Sequence, residues 1–126
     1  MKRYNINNLP HLPPIRFIKE VLYAEELESA SLVEFQEKPT LSATAEAGAQ
    51  NVIFITSLYR DFEGGVLTAI KKVKLQKPLE KGTYIVESKL ITRFDNFSMI
   101  KFMLLRKNEI FVEGEINIAM KYRKKN

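Results

Sequence analysis

The segment TLSATAEAGAQNVIFITSLY, residues 40–59, decides the fold of this chain, because it predicts one buried helix in a sequence otherwise patterned for strands. Small residues dominate its first half, which lets a helix press closely against a neighbouring backbone. Its second half, Val52 to Ile55, is apolar nearly all round, as is typical of a buried helix. Thr40 or Ser42 can cap this helix by accepting a hydrogen bond from a free backbone N–H group.

Glu46 is the only charged residue in that segment. Gln50 follows four residues later, so the two side chains lie one helical turn apart on the same face. This spacing places an ionisable oxygen beside an amide that can orient it or share its proton. Burying an unpaired charge is costly, and we therefore favour Glu46 as a functional carboxylate. The alternative is a structural carboxylate that is hydrogen-bonded to a backbone group or to Gln50, or exposed at a subunit boundary.

Apolar and polar residues alternate with period two through much of the second half of the chain, which is typical of half-buried antiparallel strands. Strands are expected at about 16–23, 29–35, 66–75, 84–94, 97–106 and 109–121, with a loop at 61–65 and tight turns at 95–96 and 107–108. Several large apolar residues are assigned mainly to the core: Phe94, Phe97, Phe102, Phe111, Met99, Met103 and Met120.

The 126 residues fit a single domain, 1–126, that ends in a basic tail at 122–126. The absence of cysteine excludes disulfides, thiolate zinc sites and a thiol nucleophile, and no metal-binding spacing appears. The N-terminal residues lack the apolar core of a secretory signal, so a cytoplasmic protein is expected. Polar residues in the first half of segment 40–59 argue against a membrane span.

The net charge of +5 resides largely in lysines between positions 71 and 81 and in the C-terminal tail. No aromatic residues alternate with these lysines, and arginine is scarce, so nucleic acid is not the expected partner. An acidic protein partner and a solvated basic surface both remain compatible with this charge.

A helix at about 41–59 wrapped by a curved antiparallel sheet of five to six strands is an α+β architecture that resembles the hot-dog fold. Three motifs, in order, resemble the 3-hydroxyacyl-acyl-carrier-protein dehydratases of fatty acid synthesis, including short dehydratases of aryl-polyene pathways. The motifs are Leu9-Pro10-His11 with Pro14, Glu46-Ala47-Gly48-Ala49-Gln50, and residues 67–74 followed by Lys77-Pro78 and Lys81-Gly82.

This resemblance implies a homodimer, or a higher oligomer, in which an acyl chain enters a tunnel at the subunit interface. The chain is carried on the phosphopantetheine of acyl carrier protein or CoA, and the protein needs no cofactor of its own. Glu46 would pass a proton to the departing hydroxyl beside Gln50. The helix N-terminus at Thr40, Leu41 and Ser42 would anchor the thioester carbonyl.

Two further roles follow from the same resemblance. Gly48 is expected to pack tightly where the pantetheine arm passes. A docking surface for an acidic carrier protein is expected at four lysines: Lys71, Lys72, Lys74 and Lys77.

The catalytic base is not assigned by the motifs. In the family it is a histidine in a Gly-His-Phe-Pro loop upstream of the helix, whereas residues 33–41 here, VEFQEKPTL, contain no histidine. The alternatives are His11, the only histidine of the sequence, and the carboxylates of Glu34 and Glu37.

Three functions therefore stay open. The first is a dehydratase acting on 3-hydroxyacyl thioesters. The second is a thioesterase in which Glu46 activates water. The third is a non-catalytic hot-dog subunit that binds an acyl carrier or forms a heterodimer with an active partner.

Overall fold

The structure is a computed structural model that describes residues 16–25, 27–60 and 62–122. One helix, α1 (Leu41–Tyr59), lies between the second and third of six strands. The strands are β1 (Ile18–Ala24), β2 (Glu28–Phe35), β3 (Phe62–Leu75), β4 (Gly82–Phe94), β5 (Phe97–Arg106) and β6 (Glu109–Tyr122). His11 and tail residues 123–126 lie outside the described residues.

The six strands form one antiparallel sheet in the order β1-β2-β4-β5-β6-β3. The chain thus crosses through α1 from β2 to the far side of the sheet, which makes β1 and β3 the two edge strands. Because α1 contacts all six strands, the sheet curves around the helix. This confirms the predicted fold class and brings the two edges to opposite sides of α1.

The core lies between the helix and the concave face of the sheet. In β6 the alternation is as predicted, because Val112, Gly114, Ile116 and Ile118 are buried and the residues between them are partly exposed. Two-residue turns join β4 to β5 and β5 to β6, and the second turn has positive φ at both Lys107 and Asn108, as tight hairpins require.

The expected loop at 61–65 is wrong from Phe62 onward, because β3 begins there. The glycines that suggested a loop lie instead in an irregular stretch of the strand, where the register with β6 shifts between Phe62 and Gly64. A Cβ atom on Gly65 would lie 2.9 Å from the carbonyl oxygen of Ala119. Glycine is therefore required here by close packing, and not by a turn.

The core assignment of Phe94 and Phe97 is also wrong. Phe94 is 82% exposed and Phe97 is 53% exposed, whereas Phe102 is fully buried. The register of β4 with β5 shifts between Leu90 and Thr92, and this bulge reverses the alternation of the strand before it reaches Phe94. Of the remaining assignments, Met120 is buried, whereas three residues are only half-buried: Met99, Met103 and Phe111.

Candidate functional site

The N-terminus of α1 is capped by Thr40, one of the two predicted caps. Its Oγ1 accepts a hydrogen bond from the N–H of Ala43 at 3.0 Å. The hydroxyl of Thr44 donates to the carbonyl of Leu41 at 2.7 Å. Within the described ranges, the backbone N–H groups of Leu41 and Ser42 find no acceptor, and both residues are exposed. The positive end of the helix dipole is therefore open to a polar ligand.

Glu46 lies on the side of α1 that faces the gap between the two sheet edges. Gln50, one turn along, contacts the residue that precedes β1, and Ile53, two turns along, lies against Gly65 of β3. At 3.6 residues per turn, Glu46 falls angularly between these two side chains. Its side chain is half-buried. The carboxylate is therefore neither a core group nor a fully solvated one.

Gln50 is completely buried, and its Oε1 accepts a hydrogen bond from the N–H of Phe17 at 2.8 Å. The amide thus holds the start of β1 against the helix. Sequence reasoning paired Gln50 with Glu46 from their spacing, but it gave no indication of the bond to Phe17.

Gly48 lies on the opposite side of the helix from Glu46. A Cβ atom there would come within 3.1 Å of the ring of Phe102 in β5. The glycine therefore allows close packing of helix on sheet, as its position among small residues predicts. The structure does not bring Gly48 together with Glu46 and the helix N-terminus.

A groove of about 840 Å³ runs beside the N-terminus of α1, between the start of β1 and the end of β2. Apolar residues, including Phe17, Phe35 and Ala43, form part of its wall, and the two phenylalanine rings pack 5.0 Å apart. Thr40, the helix cap, also lines it. The groove is of the size that small-molecule sites occupy in proteins.

Both carboxylates considered as bases lie at this groove. Glu34 forms an ion pair with Lys19 at 3.5 Å and accepts a hydrogen bond from the side chain of Gln36 at 2.6 Å. Glu37 is exposed at the groove wall. Glu34 is therefore already engaged by a cation and an amide. His11 falls outside the described residues.

Three of the four predicted docking lysines lie in the C-terminal part of the edge strand β3, and Lys77 follows the end of that strand. Its register with β6 shifts between Lys71 and Lys74, and Lys72 adopts a positive φ of 51° within this bulge. Lys71, Lys72 and Lys74 are exposed and form no ion pair with the described residues. Lys77 differs, because its Nζ pairs with Glu109 at 2.8 Å.

Sequence reasoning missed a buried polar cluster around Asn51. The Nδ2 group of Asn51 donates to the hydroxyls of Ser29 at 3.1 Å and Ser88 at 3.0 Å. Its Oδ1 accepts from Ser31 at 2.5 Å. All four side chains are almost fully buried. The available signal was an asparagine in the apolar half of the helix, with serines on the inward-facing positions of two strands.

A second depression, of about 210 Å³, lies on the outer face of the sheet beside Tyr23, Glu87 and Met103. Burial, followed by the negative charges of Glu87 and Glu28, raises the pKa of the Tyr23 hydroxyl above its usual value. Tyr23 is therefore a neutral hydroxyl at physiological pH. The sheet separates this depression from α1.

Within residues 16–25, 27–60 and 62–122, no group of three or more carboxylate, histidine or cysteine side chains is arranged to hold a metal ion. The same part of the chain contains no helix with both the length and the apolar character needed to cross a membrane.

No protein-family model matches the sequence, and no curated protein matches it either. Solved structures do resemble it. The dehydratase heterocomplex ApeI:P from Xenorhabdus doucetiae superposes with a TM-score of 0.83 and 15% identity, covering 97% of this chain and 94% of that chain.

Two further structures are thioesterases by their description. A mutant thioesterase from Pseudomonas aeruginosa has a TM-score of 0.66 and 8% identity, covering 82% of this chain and 81% of that one. A hypothetical thioesterase from Streptococcus pneumoniae, solved with coenzyme A, has a TM-score of 0.64 and 4% identity, covering 84% and 88%. At these identities the likeness concerns the fold. The six-stranded sheet wrapped around one helix, together with these superpositions, shows that the chain is a hot-dog-fold protein.

Proposed function

We propose that this protein binds acyl thioesters carried on phosphopantetheine, from acyl carrier protein or CoA, and dehydrates 3-hydroxyacyl thioesters. The observation that carries the proposal is the position of Glu46. Its half-buried carboxylate lies between the two sheet edges, and the open N-terminus of the same helix is little more than one turn away.

Dehydration requires removal of a proton from C2 and departure of hydroxide from C3. In this proposal the protonated carboxyl of Glu46 donates its proton to the departing hydroxyl, which leaves as water. The N–H groups of Leu41 and Ser42, which have no acceptor among the described residues, stabilise the negative charge that develops on the thioester oxygen. His11, the only imidazole in the sequence, is the proposed base that accepts the C2 proton.

The groove beside the helix N-terminus is the proposed site for the acyl chain and part of the pantetheine arm. Its volume of about 840 Å³ suits a ligand of that size, and Phe17, Phe35 and Ala43 provide apolar contacts. The thioester would then lie next to Thr40, at the point where the groove meets the helix end.

We propose a homodimer in which a second copy covers the β3 edge. No strand of the described chain pairs with the outer side of β3, and Val66 on this strand is 59% exposed. Pairing of edge strands would satisfy these backbone groups. Lys71, Lys72 and Lys74, which form no ion pair with the described residues, remain the proposed contact for an acidic carrier protein.

Two alternatives have specific support. Two structural neighbours are described as thioesterases, and a thioesterase would need Glu46 only to activate water. The neighbour with the highest TM-score of those given above is a dehydratase heterocomplex, which favours a subunit that works beside an active partner. Both alternatives retain acyl-thioester binding.

One set of measurements tests the proposal. Purified protein is incubated with crotonyl and longer enoyl thioesters of pantetheine and of acyl carrier protein, and hydration is followed by loss of enoyl absorbance. Thiol release is measured in parallel; because the chain has no cysteine, any thiol comes from the substrate. Binding is measured by calorimetry with a non-hydrolysable acyl-pantetheine amide.

We expect hydration by the wild type and a loss of about 100-fold or more in Glu46→Gln, with binding retained. Glu20→Gln, an exposed carboxylate on β1, is the matched control and should keep full activity. Thiol release without hydration would indicate the thioesterase, and binding without turnover the non-catalytic subunit. Failure to bind the amide would contradict the proposal as a whole.

A further inference from the structure

One aromatic ring forms the buried wall of the groove beside the helix N-terminus. Phe35, the last residue of β2, lines the groove although only 3% of its surface is exposed. Other parts of the wall are exposed and carry charged or amide side chains, as at residues 36–38. A hydrocarbon chain that covered those groups would deprive them of water, which is costly. The chain is therefore directed along the apolar part of the wall, towards Phe35.

A second aromatic ring lies directly behind Phe35. The ring of Tyr84 packs against that of Phe35 edge to face, with 6.0 Å between the ring centroids. Tyr84 is only 1% exposed and does not line the groove. Phe35 thus separates the groove from a row of rings in the core, which continues from Tyr84 to Phe111 at 5.4 Å.

Tyr84 is fixed in place by polar contacts and by a stacked cation. Its hydroxyl accepts a hydrogen bond from the N–H of Glu80 at 3.0 Å and donates one to the carbonyl of Glu80 at 3.1 Å. The guanidinium of Arg106 lies 3.8 Å from the centre of the ring, and its Nε donates to the carbonyl of Thr83 at 3.0 Å. Because the ring behind it is anchored in this way, Phe35 has no free space into which a ligand could push it.

Building on the function proposed above, we infer that Phe35 sets the length of the acyl chain that the groove accepts, because its ring closes the inner end of the groove. The substrates are then thioesters of short acyl chains that end at this ring. A longer chain would leave its last methylenes in water. Burial of one methylene improves binding about fourfold, so affinity should rise with chain length only until the chain reaches Phe35.

The test is the dissociation constant of a series of acyl-pantetheine amides, from butyryl through octanoyl to dodecanoyl, measured by calorimetry. For the wild type we expect affinity to rise about fourfold per methylene and to reach a plateau within the series. Phe35→Leu shortens the side chain, and Phe35→Ala removes the ring completely. In both variants the plateau should move to longer chains. The dodecanoyl amide should bind at least about tenfold more tightly than to the wild type, and the butyryl amide equally well.

Phe62→Leu is the matched control. Phe62 is 5% exposed, and its ring packs against that of Tyr122 with centroids 5.2 Å apart. It lies on β3, at the opposite edge of the sheet from β1, and does not line the groove. This variant should keep the plateau of the wild type. A general loosening of the core would change the affinity for all amides alike, whereas loss of the ring at Phe35 changes only that for long chains.

Two results would overturn the inference and leave the proposed function standing. One is a plateau at the same chain length in the wild type and in the Phe35 variants, and the other is a wild-type affinity that rises through the whole series. Failure of every amide to bind would instead contradict the proposed function, and the inference with it. If circular dichroism shows that Phe35→Ala is unfolded, Phe35→Leu decides the question, since it keeps an apolar side chain in the core.

Discussion

Gln50 and Phe17 are joined by a hydrogen bond of 2.8 Å between a buried side-chain oxygen and a backbone N–H group 33 residues away. The bond holds the start of the edge strand β1 on the central helix, at the wall of the groove. Phe17 in turn packs its ring on Phe35 at 5.0 Å. The amide of Gln50 therefore helps to fix the position of this groove wall relative to the helix that carries Glu46.

Replacing Gln50 with methionine keeps its size and removes the acceptor, leaving the N–H of Phe17 without a partner. An unsatisfied buried donor costs about 1–3 kcal/mol, and we expect a loss of about 2 kcal/mol in the free energy of unfolding, measured with urea. Gln76→Met is the control, because Gln76 is exposed and its side chain, among the described residues, bonds only the side chain of Glu113. Equal free energies of unfolding for the two variants would show that the bond to Phe17 does not contribute to stability.

Removal of the amide at Asn51 is expected to be more damaging. Asn51→Leu leaves three buried serine hydroxyls without their central partner, and we expect a loss of about 3 kcal/mol or more in unfolding free energy. Adding alanine at Ser29, Ser31 and Ser88 should restore much of this loss, since an apolar cluster has no unsatisfied groups. If the quadruple variant is no more stable than Asn51→Leu, the loss of stability comes from poor packing of leucine and not from unsatisfied serine hydroxyls.

The bulge of β3 is held in place by Gly114. A Cβ atom at this position would lie 2.7 Å from Cγ2 and 2.9 Å from Cα of Val73, so Gly114→Ala must displace the backbone that carries Lys72. We expect about 1–3 kcal/mol of destabilisation by chemical denaturation.

Lys72 provides the complementary test of the same bulge. Its φ of 51° is unfavourable for a residue with a Cβ atom, so Lys72→Gly should stabilise the protein by about 1 kcal/mol while it removes the ammonium group. If the lysines bind a carrier protein, this variant will be more stable and bind the carrier more weakly. A destabilised Lys72→Gly would contradict the assigned backbone geometry.

Hairpin positions and the helix followed from local patterns. The cap at Thr40, the buried stretch Val52–Ile55 and the alternation in β6 depend on residues close in sequence, and the structure confirms all three. The exposure of Phe94 could not be predicted from local patterns. A bulge in β4 adds one residue and reverses the alternation of the strand, and the position of the bulge is set by the partner strand.

The sequence by itself determined a central helix bearing Glu46 and a meander of antiparallel strands, because periodicity and capping act over a few residues. Only the tertiary structure decided that Gln50 accepts a hydrogen bond from Phe17 and that Asn51 forms hydrogen bonds with three serines. It also decided that Glu46 faces the gap between β1 and β3. These relationships join residues far apart in the chain. They depend on how the sheet curves around the helix, which no local pattern encodes.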